Sequence, residues 1–554
     1  MDTNGTENLL EIVKSQNPWH NVENKDWFLT DGSLREVMEA ERNGLFEPPK
    51  VLFYLEKAFF DPLFSDTSKW GAVIMLGPRR IGKTSTLKYI VKRYIDEGMD
   101  RTTFIYVTLD QDELLIELDK KRVLREFLST VIDTYKKPNK PLFIILDEVT
   151  FYRGWARAIK NLVDSGKLGP GIGLIATGSY SLDLSSAKRE LAGRFGPLGE
   201  RLKGEVYFYP RRFIEVAESL LGSDFRNFVK NNFGSFGKRA GLIEYLAGHQ
   251  KEVNANKYGY HNILQSLFSK YYDDLHSLFE NIYLKTGGYP RAIYEAVINQ
   301  RTGQVSVSDA RYRDDIFTLF VTDSKKFDLS EETLKNILSK INLPSMRISS
   351  DYSTLSSLRK EETQKYIEYL KTSGFTNFLP NITSSNEIDT KSLLVTPRGN
   401  ILKMVINDPA SFLSIYLGSR GVETSVFNQI EKILADKSIK EHLYEAIILS
   451  HLQHIPPIQV SAKNIGYILV EEKNNAELAD GFCWYINFKS ELVLIAVESK
   501  HADKQIDIKS IEEKALRLKE LFDVNKLIVV TNLKQLEIKE NYVIMPIEIF
   551  LALM

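Results

Sequence analysis

The sequence predicts an α/β protein whose N-terminal half is a parallel sheet carrying a phosphate-binding loop. Three observations predict it. The apolar run Ala72 to Leu76 leads directly into Gly77-Pro78-Arg79-Arg80-Ile81-Gly82-Lys83-Thr84. A second apolar run, Phe143 to Leu146, ends in Asp147-Glu148. Further short apolar runs alternate with helix-compatible stretches, the pattern of strands buried on both faces.

The loop comes first. Gly77 and Gly82 permit backbone angles that turn successive N–H groups toward an anion. Lys83 brings a point charge to β- and γ-phosphate oxygens, and the Thr84 hydroxyl suits a Mg²⁺ ion. Ser85 opens the stretch STLKYIVKRYI, a helix whose positive end faces the phosphates. Arg79 and Arg80 have two readings, phosphate contact or a solvated salt bridge.

Asp147 at the end of its strand is the expected Mg²⁺-side acid, and Glu148 is the candidate base toward the water that attacks the γ-phosphate. The stretch TTFIYVTLD (102–110) lies between the two motifs. It implies the arrangement in which an extra strand separates the loop strand from the acidic strand. A fourth strand, Gly173 to Ala176, runs into Thr177-Gly178-Ser179, where a hydroxyl would sense the γ-phosphate or simply end the strand. A fifth strand, Glu205 to Tyr209, stops at Pro210. Arg194, in LAGRFGPLGERL, is either an arginine finger, in cis or in a neighbouring subunit, or a surface arginine; Arg201 is the weaker candidate.

Bulk composition limits the rest. At 554 residues the chain exceeds one hydrophobic core, so several domains are expected. Its 72 basic and 73 acidic residues nearly cancel, which confines any nucleic-acid surface to a local patch. Cys483 is the single cysteine, excluding an intramolecular disulfide and a multi-cysteine zinc site. The N-terminus lacks signal-peptide order, and no apolar run approaches the roughly 20 residues of a membrane helix. The chain reads as cytoplasmic, without a membrane partner.

GPRRIGKT, YVTLD, LDEVTFYRGWARAIKNLVD, TGS, LAGR, TGGYP and NPWH (17–20) together resemble a large family of AAA-type ATPases of archaea and bacteria. The resemblance implies binding and hydrolysis of ATP with Mg²⁺ and release of ADP. It places the GGYP element, Gly287 to Pro290, near the nucleotide. Thr150 stands where that family usually has glutamine. Ring assembly as a homo-oligomer would fit AAA-type action.

The implied organisation is an N-terminal segment (1–50), an ATPase core (51–215), a helical lid (216–305), a winged helix with linker (306–425) and a C-terminal domain (426–554). For the winged helix, LSEETLKNILSKI, STLSSLRK and EETQKYIEYLKTSGF read as three helices, followed by extended TNFLP and SLLVTP. Arg359, Lys360, Lys365 and Lys371 are opposed by Glu361, Glu362 and Glu368, so DNA contact and plain interdomain packing both stand.

In DGFCWYINFKSELVLIAVESK, position 489 is equidistant from Asp480 and Glu498, so a hairpin centred there sets those carboxylates opposite one another. Lys500 projects from the face of Glu498, and Glu445 on an upstream helix is a further ligand. Such a set would hold a hard divalent ion for phosphodiester cleavage. The spacing resembles the restriction-endonuclease-like fold, with its D and E-x-K pattern. An inactive nucleic-acid platform and a solvated strand-end Glu-Ser-Lys are the alternatives. His451 and His454 lack a third ligand nearby and read as structural.

Two functions follow. One is an ATP-dependent DNA-processing enzyme acting on DNA, branched or single-stranded, through a nuclease-like domain. The other is an ATP-operated signalling or assembly switch whose C-terminal domain only binds a partner.

Overall fold

The computed structural model describes all residues except 1–2, 22, 112–113, 117, 119–123, 179–186, 235, 250–258, 303–306, 390–394, 396–400, 423–426, 455–463, 471–475, 488 and 504. The chain divides into two compact units, Met1–Tyr209 and Pro210–Met554. No described helix is long and apolar enough to cross a membrane.

The first unit is a five-stranded parallel sheet: β1 (Gly71–Leu76), β2 (Phe104–Thr108), β3 (Leu142–Asp147), β4 (Ile172–Thr177) and β5 (Glu205–Tyr207). The spatial order is β2-β3-β4-β1-β5. Strands β1, β3 and β4 are buried along their whole length, as continuous apolar runs demand when helices cover both faces. One face packs an aromatic stack, with Phe143 4.6 Å from Phe60 and 5.7 Å from Phe104. The loop strand and the acidic strand are separated as expected, but the separating strand is β4. The stretch 104–108 takes the outer edge.

An open edge strand needs its outward N–H and C=O groups covered. The N-terminal segment supplies the cover at alternate residues, the period of a strand edge. Thr108 N donates to Gln16 Oε1 (2.8 Å), and Tyr106 N donates to Asn17 Oδ1 (2.7 Å). Asn17 Nδ2 returns a bond to Tyr106 O (2.8 Å), and Trp19 Nε1 donates to Phe104 O (3.1 Å). The NPWH motif is therefore an edge clamp, with Asn17 and Trp19 fully buried. Segment 1–50 belongs to the first unit.

The second unit begins with helices, among them Phe213–Leu220 and Tyr260–Leu278. A three-stranded antiparallel sheet follows: β6 (Ser345–Ser349), β7 (Thr376–Pro380) and β8 (Ile401–Ile406), in the order β6-β8-β7. Helices Glu331–Ser339 and Lys360–Ser373 flank β6 in the chain. The segment STLSSLRK is turns, not the helix expected of it. Side chains in it and just before it accept from nearby backbone instead, as Asp351 Oδ1 does from Ser353 N and Ser356 Oγ from Leu358 N. TNFLP pairs with β8, and SLLVTP, apart from Val395, lies outside the described residues.

A mixed six-stranded sheet closes the chain: β9 (Ile465–Val470), β10 (Ala476–Ile486), β11 (Leu492–Lys500), β12 (Leu527–Thr531), β13 (Glu537–Ile538) and β14 (Tyr542–Pro546). Its order is β13-β14-β12-β11-β10-β9. The parallel step from β11 to β12 crosses through helix Ile508–Phe522.

His451 is buried in this unit. Its Nδ1 donates to Ile447 O (2.8 Å), and its Nε2 accepts from Phe213 N (3.2 Å), so the ring is neutral and structural. Burial pushes its pKa down to about 4 and that of His454 well below the ordinary range. The unfolded chain takes up these protons below about pH 6.5, whereas the folded chain takes up that of His451 only near pH 4. Stability is thus fully present above pH 6.5 and is lost on acidification toward pH 4, by about 3 kcal/mol for His451. Asp408, pushed up to about 6 by burial, contributes the opposite slope. We therefore expect calorimetric melting of His451→Gln to show a shallower loss between pH 6.5 and 4 than wild type; equal slopes would contradict this.

Candidate nucleotide site

The loop between β1 and helix Lys83–Asp96 is shaped by two glycines in the left-handed region, Gly77 (φ 153°) and Gly82 (φ 89°). A Cβ at Gly77 would run into Phe208 O and come within 2.7 Å of Ile81 Cδ1, so only glycine fits there. Lys83, 6% exposed, donates from Nζ to Gly77 O (2.8 Å) and Pro78 O (2.9 Å), drawing the loop over its own ammonium. Pro78 and Ile81 are buried, Ser85 is half-buried in the first turn of the helix, and Arg80 is exposed with φ 67°.

Asp147 ends β3 and is 2% exposed. Three groups donate to its carboxylate: Thr84 Oγ1 to Oδ2 (2.5 Å), Tyr106 OH to Oδ2 (2.8 Å) and its neighbour Glu148 N to Oδ1 (2.9 Å). Burial, with the Asp147 charge and hydrogen bond behind it, pushes the Tyr106 phenol far above its ordinary range, so it remains a donor. The parallel order brings the ends of β1 and β3 to the same side of the sheet, which is why residues far apart in sequence meet here.

Glu148 adopts φ 51°, a conformation uncommon for a residue with a side chain and one that clusters at functional sites. Its Oε2 lies 4.0 Å from the Arg79 guanidinium, which also faces the Phe151 ring. Of the two readings of Arg79, the salt-bridge one thus has a partner in the structure. Thr177, at the end of β4, is fully buried, and its hydroxyl has no hydrogen-bond partner among the described residues. Thr150 Oγ1 is in the same condition. Ser179 lies outside the described residues.

Arg194 is elsewhere. It pairs with Asp164 (2.7 Å), and its neighbour Phe195 accepts from Ala72 N (2.8 Å) at the start of β1. The phosphate loop begins five residues further along, roughly 16 Å at the rise of a strand. The described structure thus pairs Arg194 with Asp164 near the start of β1 and does not bring it to the phosphate loop. Pro290 opens helix Pro290–Thr302 in the second unit, where Gly288 N donates to Asp408 Oδ2 (2.8 Å) and Gly288 O accepts from Arg211 N (2.8 Å).

The C-terminal candidates converge. The β10–β11 register, Gly481 against Val497, has the predicted centre at 489. Ser499 N donates to Asp480 Oδ2 (2.7 Å), and Glu498 Oε1 receives both Lys500 (2.7 Å) and Lys514 (2.5 Å). Burial, then the charges of Glu498 and Glu445, push the Asp480 carboxyl well above its ordinary range. Glu445 meets Lys403 Nζ (2.6 Å), which also bonds Glu477 and lies 3.9 Å from Asp480 Oδ1. The sequence reading missed Glu477 and Lys403. Register shifts between Glu477, Ala479 and Phe482 break the alternation that would otherwise put Glu477 and Asp480 on opposite faces. With Lys403 seated among these carboxylates, the described arrangement does not fit a divalent ion.

Comparison with known proteins bears on the first unit. Residues 69–216, which contain β1 to β5, match the family model of the AAA domain. An uncharacterized protein of Methanocaldococcus jannaschii is 25% identical over 221 residues, covering 36% of this chain and 44% of the relative, less than half of its length. A Walker-type ATPase of Pyrococcus abyssi is similar at 13% identity, covering 67% of this chain and 95% of its own, with a TM-score of 0.36. Cdc6p from Pyrobaculum aerophilum is similar at 14% identity, covering 72% of this chain and 98% of its own, with a TM-score of 0.26. Residues 69–216 of the chain are thus similar to the AAA domain.

Proposed function

We propose that this protein binds and hydrolyses ATP at the loop Gly77–Thr84 and uses the cycle as a switch. The observation that carries the reading is the Thr84 hydroxyl on the Asp147 carboxylate at 2.5 Å, where β1 and β3 end together. These two hard oxygens, both beside the phosphate loop, suit Mg²⁺. Bound there, the ion would offset phosphate charge during transfer.

Lys83 releases its hold on Gly77 O and Pro78 O to meet the β- and γ-oxygens, so the loop is pre-formed for an anion. The helix Lys83–Asp96 presents its N-terminal N–H groups to the same place. Glu148 orients the attacking water and accepts its proton once nucleotide draws Arg79 away. Thr177, with an unspent buried hydroxyl, is the candidate γ-phosphate sensor. Arg194 would act only in trans, and only after leaving Asp164. The approach of Pro290 to nucleotide rests on the family resemblance.

Of the two sequence readings, the switch with a non-cleaving C-terminal domain has the stronger support. Lys403 within the acidic cluster is the specific observation in its favour. The winged-helix reading draws on the β6-β8-β7 order. Exposed Arg359, Lys360 and Lys365 there alternate with exposed Glu361 and Glu362, which gives no basic face for DNA. DNA processing would be favoured over the switch by DNA stimulation of phosphate release.

Two outcomes test the nucleotide site. Glu148→Gln should retain ATP binding while phosphate release falls at least about a hundredfold, and Lys83→Ala should weaken ATP binding by at least about tenfold. Normal turnover by Glu148→Gln would refute the assigned base. Tyr106→Phe removes one donor to Asp147 and should raise the Mg²⁺ concentration for half-maximal turnover by about tenfold. An unchanged Mg²⁺ titration would show that Tyr106 does not position the acid.

A further inference from the structure

Strand β8 carries a charge in an apolar run, Ile-Leu-Lys-Met-Val-Ile, and Lys403 is only 2% exposed. An ammonium so buried costs several kcal/mol unless oxygens surround it. They do. Nζ donates to Glu445 Oε1 (2.6 Å), to Glu477 Oε1 and to Asp480 O (3.3 Å), with the Tyr467 ring 4.8 Å away. Burial lowers its pKa, but Glu445, Asp480 and Glu477 outweigh burial and hold it above the ordinary lysine range.

Glu445, Glu477 and Asp480 present carboxylate oxygens within 4.8 Å of one another, the spacing of an oxygen cage for a hard cation. A second observation points the same way. Glu498, 2% exposed, keeps a buried Oε2 without a hydrogen-bond partner among the described residues. Lys403, Lys500, Lys514 and Arg347 face four carboxylates, so the acids are balanced only while Lys403 stays among them. The neighbouring strand β6 helps to close the site, with Ser345 Oγ donating to Glu445 Oε1 (3.0 Å) and Arg347 paired with Glu477.

We propose that Lys403 is a tethered cation closing the divalent-cation position of the C-terminal acidic site, so that metal and the β8 lysine exclude one another there. The three-stranded sheet is then an autoinhibitory cover. It keeps the acidic site from drawing a metal until β8 is lifted, and Glu445, Glu477 and Asp480 are the ligands it frees.

The test is Mn²⁺ binding to the full chain without nucleotide, read from loss of the free-ion EPR signal. It is independent of ATP turnover. Lys403→Met should bind Mn²⁺ at least about tenfold more tightly than wild type, and adding Asp480→Asn should abolish the gain. Equal binding by wild type and Lys403→Met, or a gain that survives Asp480→Asn, would overturn the proposal. Where Lys403→Met fails to fold because three carboxylates face each other unscreened, millimolar Mn²⁺ should restore its cooperative melt. Failure of Mn²⁺ to restore it would equally overturn the proposal.

Discussion

The buried carboxylate of Asp147 is the constraint on which the first unit depends. A carboxylate 2% exposed is tolerable only when donors surround it, and here they come from three places: the phosphate loop, the edge strand and its own neighbour. Thr84 ties the acid to the loop, and Tyr106 ties it to β2. Because Asn17 holds both the N–H and the C=O of Tyr106, the N-terminal clamp reaches Asp147 through a single residue. The clamp thus does two things at once: it covers an open sheet edge and fixes the donor that aims Asp147.

The second acidic centre is built on opposite terms. Asp147 is satisfied by neutral donors and stays available to a cation. The carboxylates of Glu445, Glu477 and Asp480 are instead satisfied by an ammonium already in their midst. Hydroxyl donors can turn aside for an ion, whereas a lysine must leave. That difference separates a carboxylate held by neutral donors from carboxylates already paired with a cation in the described state.

Much of this was legible in the sequence where a local pattern sets the geometry. Gly77 to Thr84 has one backbone solution, and the symmetric spacing of Asp480 and Glu498 about position 489 matches the β10–β11 register. The illegible parts depend on elements distant in the chain. The sequence called for a strand between the loop strand and the acidic strand, but only the fold identifies it as β4. Glu477 was hidden by a break in alternation, and Lys403 by its place in a strand of another sheet. Arg194 read as a finger or a surface arginine in a glycine-rich loop, and that loop packs at the start of β1. The STLSSLRK stretch misled because helix periodicity ignores the competition of hydroxyl side chains for the backbone.

The central claim is that Asp147 gathers loop, edge strand and metal into one hydrolytic site. Steady-state phosphate release from ATP by the full chain, measured across Mg²⁺ concentrations for wild type and Asp147→Asn, tests it most directly. The account predicts Mg²⁺-dependent turnover in wild type and a loss of at least about a hundredfold in the variant. Turnover in Asp147→Asn within about twofold of wild type would contradict it.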